Sequence, residues 1–274
     1  MRIKIKPLLL LSFLFVSTIG FTQDLFSYES SLRYTDYLIQ RGDYTSAELE
    51  LNRMEKELGK SDTIKLLQLR CYKLSGKKDA ASLMIQSLTE DTIPHRESLL
   101  LEALQVTIYF NRFTFLPSLI QRMSLPIETR ERLYFYSYLL LNDTTQARLH
   151  LNKIADVDST CLGLFYRLIK LPKLKTSTGL LLSVFPGAGA MYAKQKHAGL
   201  TNTSVVTIFS WLSYRGFSQK GIGSIYGWVY ATGATVFYAG GIYSTPKSVR
   251  RYNQHIFSIY QDEVKHTFEN TLIR

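Results

Sequence analysis

Three short motifs contain part of a catalytic signature, and each lacks a feature that its chemistry requires. Gly59-Lys60-Ser61 ends like a phosphate-binding loop, but Met54 stands where that loop needs its first glycine. Gly221-Ile222-Gly223 lacks the third glycine of a dinucleotide-binding turn. Ser244-Thr-Pro-Lys247 has the spacing of a nucleophilic serine and a lysine base, but it contains a proline and occurs once. None of these motifs predicts catalysis.

The histidines and cysteines do not form a recognisable site either. Cys71 and Cys161 make neither a Cys-x-x-Cys pair nor a disulfide framework, and both fall in helical apolar patterns, so we expect two buried thiols. The five histidines are scattered, without partners at metal-ligand spacing: His95, His150, His197, His255 and His266. The sequence predicts no metal, no cofactor and no enzymatic activity.

The charge distribution divides the chain into two parts. Residues 23–158 carry 17 basic and 19 acidic residues, whereas residues 159–274 carry 13 basic and 3 acidic residues. No acid occurs in the 103 residues between Asp158 and Asp262, a run with 11 Lys or Arg. Such depletion is typical of a membrane region, because buried charges are costly and many lipid headgroups are anionic. The basic residues flank apolar segments instead of forming a stripe, which argues against nucleic acid.

The N-terminus has the three parts of a secretory signal. A positive segment, Arg2 to Lys6, precedes an apolar core from Pro7 to Ile19, and the small residues Gly20 and Thr22 precede a possible cut. The apolar core is short for a stable membrane span, which favours cleavage over anchoring. We therefore predict a signal peptide over residues 1–22 and export of the chain from residue 23 onward.

The front part repeats with a period of helical hairpins. Gly42-Asp-Tyr-Thr-Ser-Ala47-Glu-Leu-Glu-Leu51 aligns with Gly76-Lys-Lys-Asp-Ala-Ala81-Ser-Leu-Met-Ile85 at an offset of 34 residues. The glycine suits the tight turn between paired helices, and the alanine suits their close approach. These two copies resemble tetratricopeptide repeats, whose period is the same.

Two weaker copies occur further along the chain, with asparagine at the turn. Asn111 begins one copy, in which Leu116 replaces the alanine, and Asn142 begins another, in which Ala147 restores it. We predict an all-α repeat domain over residues 23–158, with helical hairpins near 29–57, 63–90, 96–124 and 130–156. Such a solenoid commonly binds a protein on its concave face, although the repeats could equally serve only to hold a shape.

The back part has three uncharged segments behind a basic connector, residues 159–175. Residues 176–193 are broken by proline and glycines, whereas 198–214 and 222–243 are predicted membrane spans. Small residues recur every four positions in the last segment and predict close helix packing: Gly223, Gly227, Ala231, Thr235 and Ala239. The positive-inside rule favours three spans, with 176–193 crossing as well. Two spans with a re-entrant 176–193 are the other topology, and it is the one that we favour.

The motif within these segments resembles a known membrane-hairpin family. Ser183-Val-Phe-Pro186-Gly187-Ala-Gly189-Ala-Met-Tyr192, then Gly199 and two apolar helices, is similar to the Pro-Gly-x-Gly domain of Bacteroidetes-type envelope proteins. The resemblance covers about residues 176–253 and implies a two-helix hairpin, but no activity is established for the family. Ala190 departs from it, because a polar residue is usual there. Residues 254–274 are predicted to form an amphipathic helix on the membrane or on the repeats.

These features together predict a non-enzymatic, membrane-anchored scaffold at the bacterial inner membrane, with its repeat domain in the periplasm. The expected partners are proteins bound by the repeats and membrane lipids, without nucleic acid, metal or cofactor. The alternative is a membrane component of a transport or lipid-handling complex, in which the repeats are a docking arm. A periplasmic enzyme would need a site that no motif reveals.

Overall fold

Helices are the only regular secondary structure in residues 27–59, 61–91 and 94–273, which this computed structural model describes. The prediction of an all-α protein is confirmed for this part of the chain. The predicted signal peptide, residues 1–22, lies outside the described residues. The chain forms two compact units, which meet in sequence between Leu125 and Pro126.

The first unit contains three consecutive helical pairs. Their helices are α1 Tyr28–Arg41, α2 Tyr44–Leu58, α3 Asp62–Ser75, α4 Lys78–Glu90, α5 Glu97–Tyr109 and α6 Leu116–Gln121, and a 3₁₀ turn at Phe113–Phe115 precedes α6. Buried side chains of neighbouring helices form the core of the first pairs: Leu38, Ala47, Leu51, Met54, Ile64 and Cys71. Adjacent pairs share this core, which is how helical repeats bury surfaces that one hairpin leaves open.

The turn inside each helical pair has the same left-handed conformation. Gly42 and Gly76 have φ angles of 82° and 73°, and Asn111 and Asn142 have φ angles of 57° and 59°. At each turn the next N–H donates to a carbonyl five residues back, as in Asp43 N to Leu38 O at 2.9 Å. Glycine adopts this conformation without steric cost and asparagine tolerates it better than most residues.

The small residue at the helix crossing is fully buried in each pair. Ala47, Ala81 and Ala147 are 0% exposed, and so is Leu116, which replaces the alanine in the third pair. The second helix of that third pair is also the shortest helix of the four pairs, at six residues. Helical pairs lie at residues 28–58, 62–90, 97–121 and 127–151, within a few residues of the four hairpins that the sequence predicts.

The second unit begins with the fourth pair, α7 Ile127–Leu140 and α8 Thr144–Leu151. Five helices come after it: α9 Ser159–Ile169, α10 Thr176–Leu182, α11 Ala188–Tyr192, α12 Lys196–Lys220 and α13 Ile225–Ile273. The helix α9 occupies most of the predicted connector. It forms there because Asp158 caps it, accepting a 2.7 Å hydrogen bond from Cys161 N, and because one face is apolar and buried.

The final helix is continuous over 49 residues and passes through Pro246. The sequence predicts a separate helical tail at residues 254–274, and this boundary is absent from the structure. A helix of this length extends for about 73 Å. Its first half packs against α12 and its last half against α7, with a hydrogen bond to α9, so one continuous helix serves two contact regions.

Long-range hydrogen bonds hold the last half of α13 in place. The Tyr260 hydroxyl donates to Leu164 O at 3.0 Å, and the Gln261 side-chain amide donates to Leu140 O at 2.9 Å. Val264 and Phe268 are 0% exposed in the same contact. The amphipathic pattern allowed residues 254–274 to lie on the membrane or on the repeats. In the structure they pack on the fourth helical pair. Because α13 packs on the fourth pair, that pair belongs to the second compact unit. The change in charge along the sequence comes later, after residue 158.

The predicted transmembrane hairpin is not found. No helix within the described residues is both long enough and apolar enough to cross a membrane. The segments at 198–214 and 222–243 do lie in two adjacent helices, but polar and small residues lower their hydropathy: threonine, serine and asparagine in the first, and four tyrosines and five glycines in the second.

Candidate functional site

The Pro-Gly-x-Gly motif forms the junction where α10, α11 and α12 meet α13. Gly187 has a φ of 77° and begins α11. A Cβ atom at Gly187 would overlap the carbonyl of Gly199 and the hydroxyl of Thr203. The Thr203 hydroxyl lies 2.7 Å from Pro186 O and 2.9 Å from Gly199 O, so it can donate to either carbonyl. The motif therefore brings the backbones of its turn and of α12 into direct contact.

The other motif residues complete the same junction. A Cβ at Gly189 would overlap the hydroxyls of Ser183 and Thr245, which hydrogen-bond each other at 2.8 Å. A Cβ at Gly199 would lie 2.5 Å from Met191 Cγ. The Tyr192 hydroxyl accepts a hydrogen bond from Lys175 N at 3.1 Å. The structure thus gathers the five predicted residues Pro186, Gly187, Gly189, Tyr192 and Gly199 at one place.

Small residues also line the contact between α12 and α13. Ser224, directly before α13, and Gly227 and Ala234 on α13 are buried, and the Ser213 hydroxyl of α12 donates to Gly227 O at 2.9 Å. A Cβ at Gly216 would lie 2.8 Å from Gly227 N, so the two backbones touch. With the half-buried Ala231 included, positions 224, 227, 231 and 234 follow one another in steps of three, four and three residues, which keeps them on one face.

The predicted packing ridge follows a different path. Of its five residues, Gly227 is buried, Ala231 is half-buried, and Gly223, Thr235 and Ala239 are exposed. A spacing of four residues advances about 40° around the helix at each step. A ridge of five such residues therefore turns away from α12, and only its middle reaches the contact.

The outward faces of α12 and α13 are broadly apolar. More than half of the exposed large hydrophobic side chains among the described residues lie between residues 180 and 243. Ile208 and Trp211 of α12 are over half exposed, and so are Ile225, Trp228 and Val229 of α13. Contiguous exposed apolar surface of this kind marks a binding face for lipid or protein. We call these helices, residues 196–243, the apolar hairpin.

A cleft of about 590 Å³ runs along the apolar hairpin between its two helices. Lys247 and Arg251 line one end, and Val205, Val236 and Phe237 line the other. Near the basic end the Ser248 hydroxyl donates to Gln195 Oε1 at 2.9 Å.

One polar atom on the cleft wall is buried without a partner. Asn202 lines the middle of the cleft, and its carboxamide oxygen has no hydrogen-bond partner among the described residues. No sequence motif identifies Asn202, Gln195 or Ser248 as a site residue. A useful signal was present, because Asn202 is the one amide side chain inside the apolar segment 198–214.

The repeat surface offers polar and aromatic side chains on its first helices. Arg33 and Tyr34 of α1 are exposed, and Arg33 pairs with Glu29 at 2.6 Å. On neighbouring helices Arg70 lies 3.4 Å from Glu102, and Lys73 lies over the ring of Tyr109. Tyr109 itself is 59% exposed. These contacts join α3 to α5 and leave an aromatic ring and cations available to a partner.

Titratable groups in the interior are held neutral by burial. Burial raises the pKa of the Cys71 thiol to about 11 and also raises the pKa of the Cys161 thiol. Both cysteines are free and buried, as the sequence predicts. Burial likewise raises the pKa values of the Tyr136 and Tyr260 hydroxyls. These shifts oppose ionisation, so they describe a protein core and not activated nucleophiles.

The described residues contain no group of three or more His, Cys, Asp or Glu side chains placed to hold a metal ion. Comparison of the chain with protein-family models, curated proteins and solved structures finds no match. The resemblances to tetratricopeptide repeats and to the Pro-Gly-x-Gly family therefore stay predictions from sequence.

Proposed function

We propose that this protein is a non-enzymatic scaffold, held at a membrane by its apolar hairpin and binding a protein partner with its helical repeats. The observation that carries the proposal is the exposed apolar face of α12 and α13. In water such a face is unfavourable by about 25 cal/mol per Å² of apolar surface. In lipid the same face no longer contacts water. The helical backbone also needs no further hydrogen-bond partner there, because its N–H and C=O groups bond within the helix.

The distribution of charge supports a lipid environment for the hairpin. Arg215 and Lys220 lie near the turn between α12 and α13, and Lys194, Lys196 and Lys247 lie toward the other end. Residues 198–214 of α12 carry no charge, so this part of the helix can lie against lipid without burying a charged side chain. Basic groups at both ends suit the headgroup regions of a membrane.

The arrangement of the repeats supports a protein partner. Two of the first helices, α1 and α5, present exposed side chains of the kind that protein interfaces favour, including Tyr34, Tyr37 and Tyr109. In a helical-repeat domain such first helices line an extended binding surface. An exported chain would place this surface in the periplasm, beside an inner membrane that holds the hairpin.

Tryptophan fluorescence tests the membrane part of this proposal. Trp211 and Trp228 are the only tryptophans of the chain, and both lie on the apolar hairpin, each 57% exposed. When phosphatidylcholine vesicles are added to the full chain, we expect a blue shift and quenching by lipids brominated along their acyl chains. Because the reporters lie on the hairpin, insertion of the N-terminal apolar segment cannot produce this signal.

A triple variant and a matched control give the test its specificity. Ile208→Ser, Ile225→Ser and Val229→Ser together should weaken vesicle binding at least tenfold, which corresponds to about 1.4 kcal/mol. The control changes three exposed apolar residues of other helices, Leu49, Leu83 and Ile127, to serine and should leave quenching unchanged. If both tryptophans stay fully accessible to aqueous iodide with vesicles present, the membrane proposal is wrong.

The protein-binding part needs a separate measurement. Cross-linking from a photoreactive residue at Tyr34 or Tyr109, in cells that express the full chain, should capture one recurrent protein partner. A photoreactive residue at Leu83, an exposed position on a second helix, should not capture it. Equal capture from all three positions would contradict a partner site on the first helices.

The alternative, a component of a transport or lipid-handling complex, is favoured by the cleft inside the hairpin. In that case the hairpin itself would be active and the repeats would dock it to other proteins. Substitutions that fill the cleft without preventing membrane insertion would then abolish function, whereas a simple anchor would tolerate them.

A further inference from the structure

We propose that the cleft between α12 and α13 binds one anionic phospholipid, with its phosphate at Lys247 and Arg251 and an acyl chain along Val205, Val236 and Phe237. This inference rests on the membrane placement proposed above, because a lipid ligand reaches the cleft from a bilayer. It adds a specific ligand site to a hairpin that would otherwise only anchor the chain.

The cleft has the dimensions and direction of an amphiphile site. Its volume of about 590 Å³ falls within the usual range of small-molecule sites. The Ser248–Gln195 hydrogen bond marks the basic end. From there α12 and α13 run antiparallel, so Val205 lies toward Val236 at the opposite end. Fifteen residues of helix separate Val236 from Arg251, a distance of about 22 Å.

The basic end lacks the acidic partners that would neutralise it. None of the ion pairs found within the described residues involves Lys247 or Arg251, and no acid occurs between Asp158 and Asp262. The Lys247 ammonium instead lies 5.0 Å from the centre of the Tyr243 ring. Two cations without a counterion in this part of the chain, beside an apolar channel, are complementary to a phosphate that carries an acyl chain.

The wall between the two ends is open and partly polar. Gly240 lies between the apolar and basic ends, and a Cβ added there would meet nothing within 4 Å. Ala190 lines the same cleft with a single methyl group. Asn202 lines the cleft at this level as well. The glycerol backbone of a phospholipid, which carries ester groups, would lie between the two ends of the cleft and would contact this partly polar wall.

Native mass spectrometry of the full chain, released from mixed vesicles, tests this inference. The vesicles contain phosphatidylcholine with a minor fraction of phosphatidylglycerol. We expect the wild-type protein to retain about one phosphatidylglycerol per chain, enriched at least tenfold over its share in the vesicle. Lys247→Gln with Arg251→Gln should abolish this enrichment. Arg215→Gln with Lys220→Gln removes the same charge at the other end of the hairpin and should preserve it.

A second variant separates the cleft from general charge attraction. Gly240→Leu projects into the cleft from a position where an added Cβ meets no atom within 4 Å, so it should eliminate the retained lipid while leaving tryptophan quenching in phosphatidylcholine vesicles unchanged. Retention of phosphatidylglycerol by this variant would overturn the inference. Displacement of the lipid by millimolar inorganic phosphate would also overturn it, because the site would then recognise a free oxyanion and need no acyl chain.

The two proposals fail in different ways. Absence of tryptophan quenching in vesicles of phosphatidylcholine alone contradicts the membrane anchor and, with it, the lipid site. Normal quenching without enrichment of phosphatidylglycerol contradicts only the lipid site and leaves the anchor in place.

Discussion

The helical repeats and the apolar hairpin use small residues for opposite purposes. In the repeats, Ala47 and Ala81 let helices approach so that large neighbours such as Leu51 and Ile85 can be buried. In the hairpin and the Pro-Gly-x-Gly motif that packs on it, Gly187, Gly199 and Gly216 let backbones touch while the large side chains point outward. The repeats are therefore stabilised by a buried apolar core and the hairpin by close backbone contacts and hydroxyl hydrogen bonds.

This difference indicates which surroundings each region requires. A region whose large apolar side chains are buried is complete in water. A region whose apolar side chains face outward requires lipid or a partner to cover them, and small-residue contacts are the way helices associate where the hydrophobic effect gives little help. The contrast supports the proposal that the two regions work in different media.

The strongest test of this comparison replaces one left-handed glycine in each region. Gly42→Ala and Gly187→Ala both place a side chain at positive φ, which costs about 1–2 kcal/mol. Only Gly187→Ala also places a Cβ against a backbone carbonyl, that of Gly199, so we expect its total cost to reach about 3 kcal/mol or more. Hydrogen exchange with mass spectrometry, resolved by peptide, measures both. Equal effects would contradict the importance of the backbone contact.

A second test enlarges a buried alanine in the repeats. Ala81→Leu should destabilise the first unit by about 1–3 kcal/mol, because overpacking forces neighbours from their preferred rotamers. Ala80→Leu, at the adjacent and only half-buried position, should change stability by less than about 0.5 kcal/mol. Urea unfolding followed by circular dichroism measures the difference. A neutral Ala81→Leu would mean that the helices of this pair do not pack as closely as described.

A third test addresses the contact by which α13 joins the fourth pair. Tyr260→Phe removes the hydrogen bond to Leu164 O and should cost about 1–1.5 kcal/mol. Tyr166→Phe, at an exposed position of α9, should be neutral.

The same hydrogen bond gives an alkaline signature. Because burial raises the Tyr260 pKa in the folded state, its contribution is complete below the unfolded value of about 10 and declines as pH rises above it. The stability difference between wild type and Tyr260→Phe, measured by urea unfolding at several pH values, should shrink above pH ~10. An invariant difference would exclude ionisation of Tyr260 as a contributor.

The smallest expected effect is the lack of thiol reactivity in the folded protein. Cys71 and Cys161 should not react with Ellman's reagent at pH 8, because both are buried and both pKa values are raised. Denaturation should release two reactive thiols per chain. Rapid reaction of either thiol in the native protein would show that the core of that unit opens readily.

The sequence predicted local features well because local physics determines them. Helical periodicity, the left-handed turns at Gly42, Gly76 and Asn142, and the buried Ala147 follow from steric properties of single residues and their spacing. The packing ridge illustrates the limit of such reasoning. A run of small residues predicts that some face packs closely, but the partner helix decides which face that is. Gly227 and Ala234 are buried, whereas Ala239 is exposed.

The amino-acid sequence by itself determined the all-α class, the approximate boundaries of the four helical pairs and the separation of charge, since each depends on residues near one another in the chain. Only the tertiary structure decided that α13 continues through Pro246, that its last half docks on α7 and α9, and that a cleft opens beside Lys247 and Arg251. Those outcomes depend on contacts between distant residues, whose free energies the local pattern does not contain.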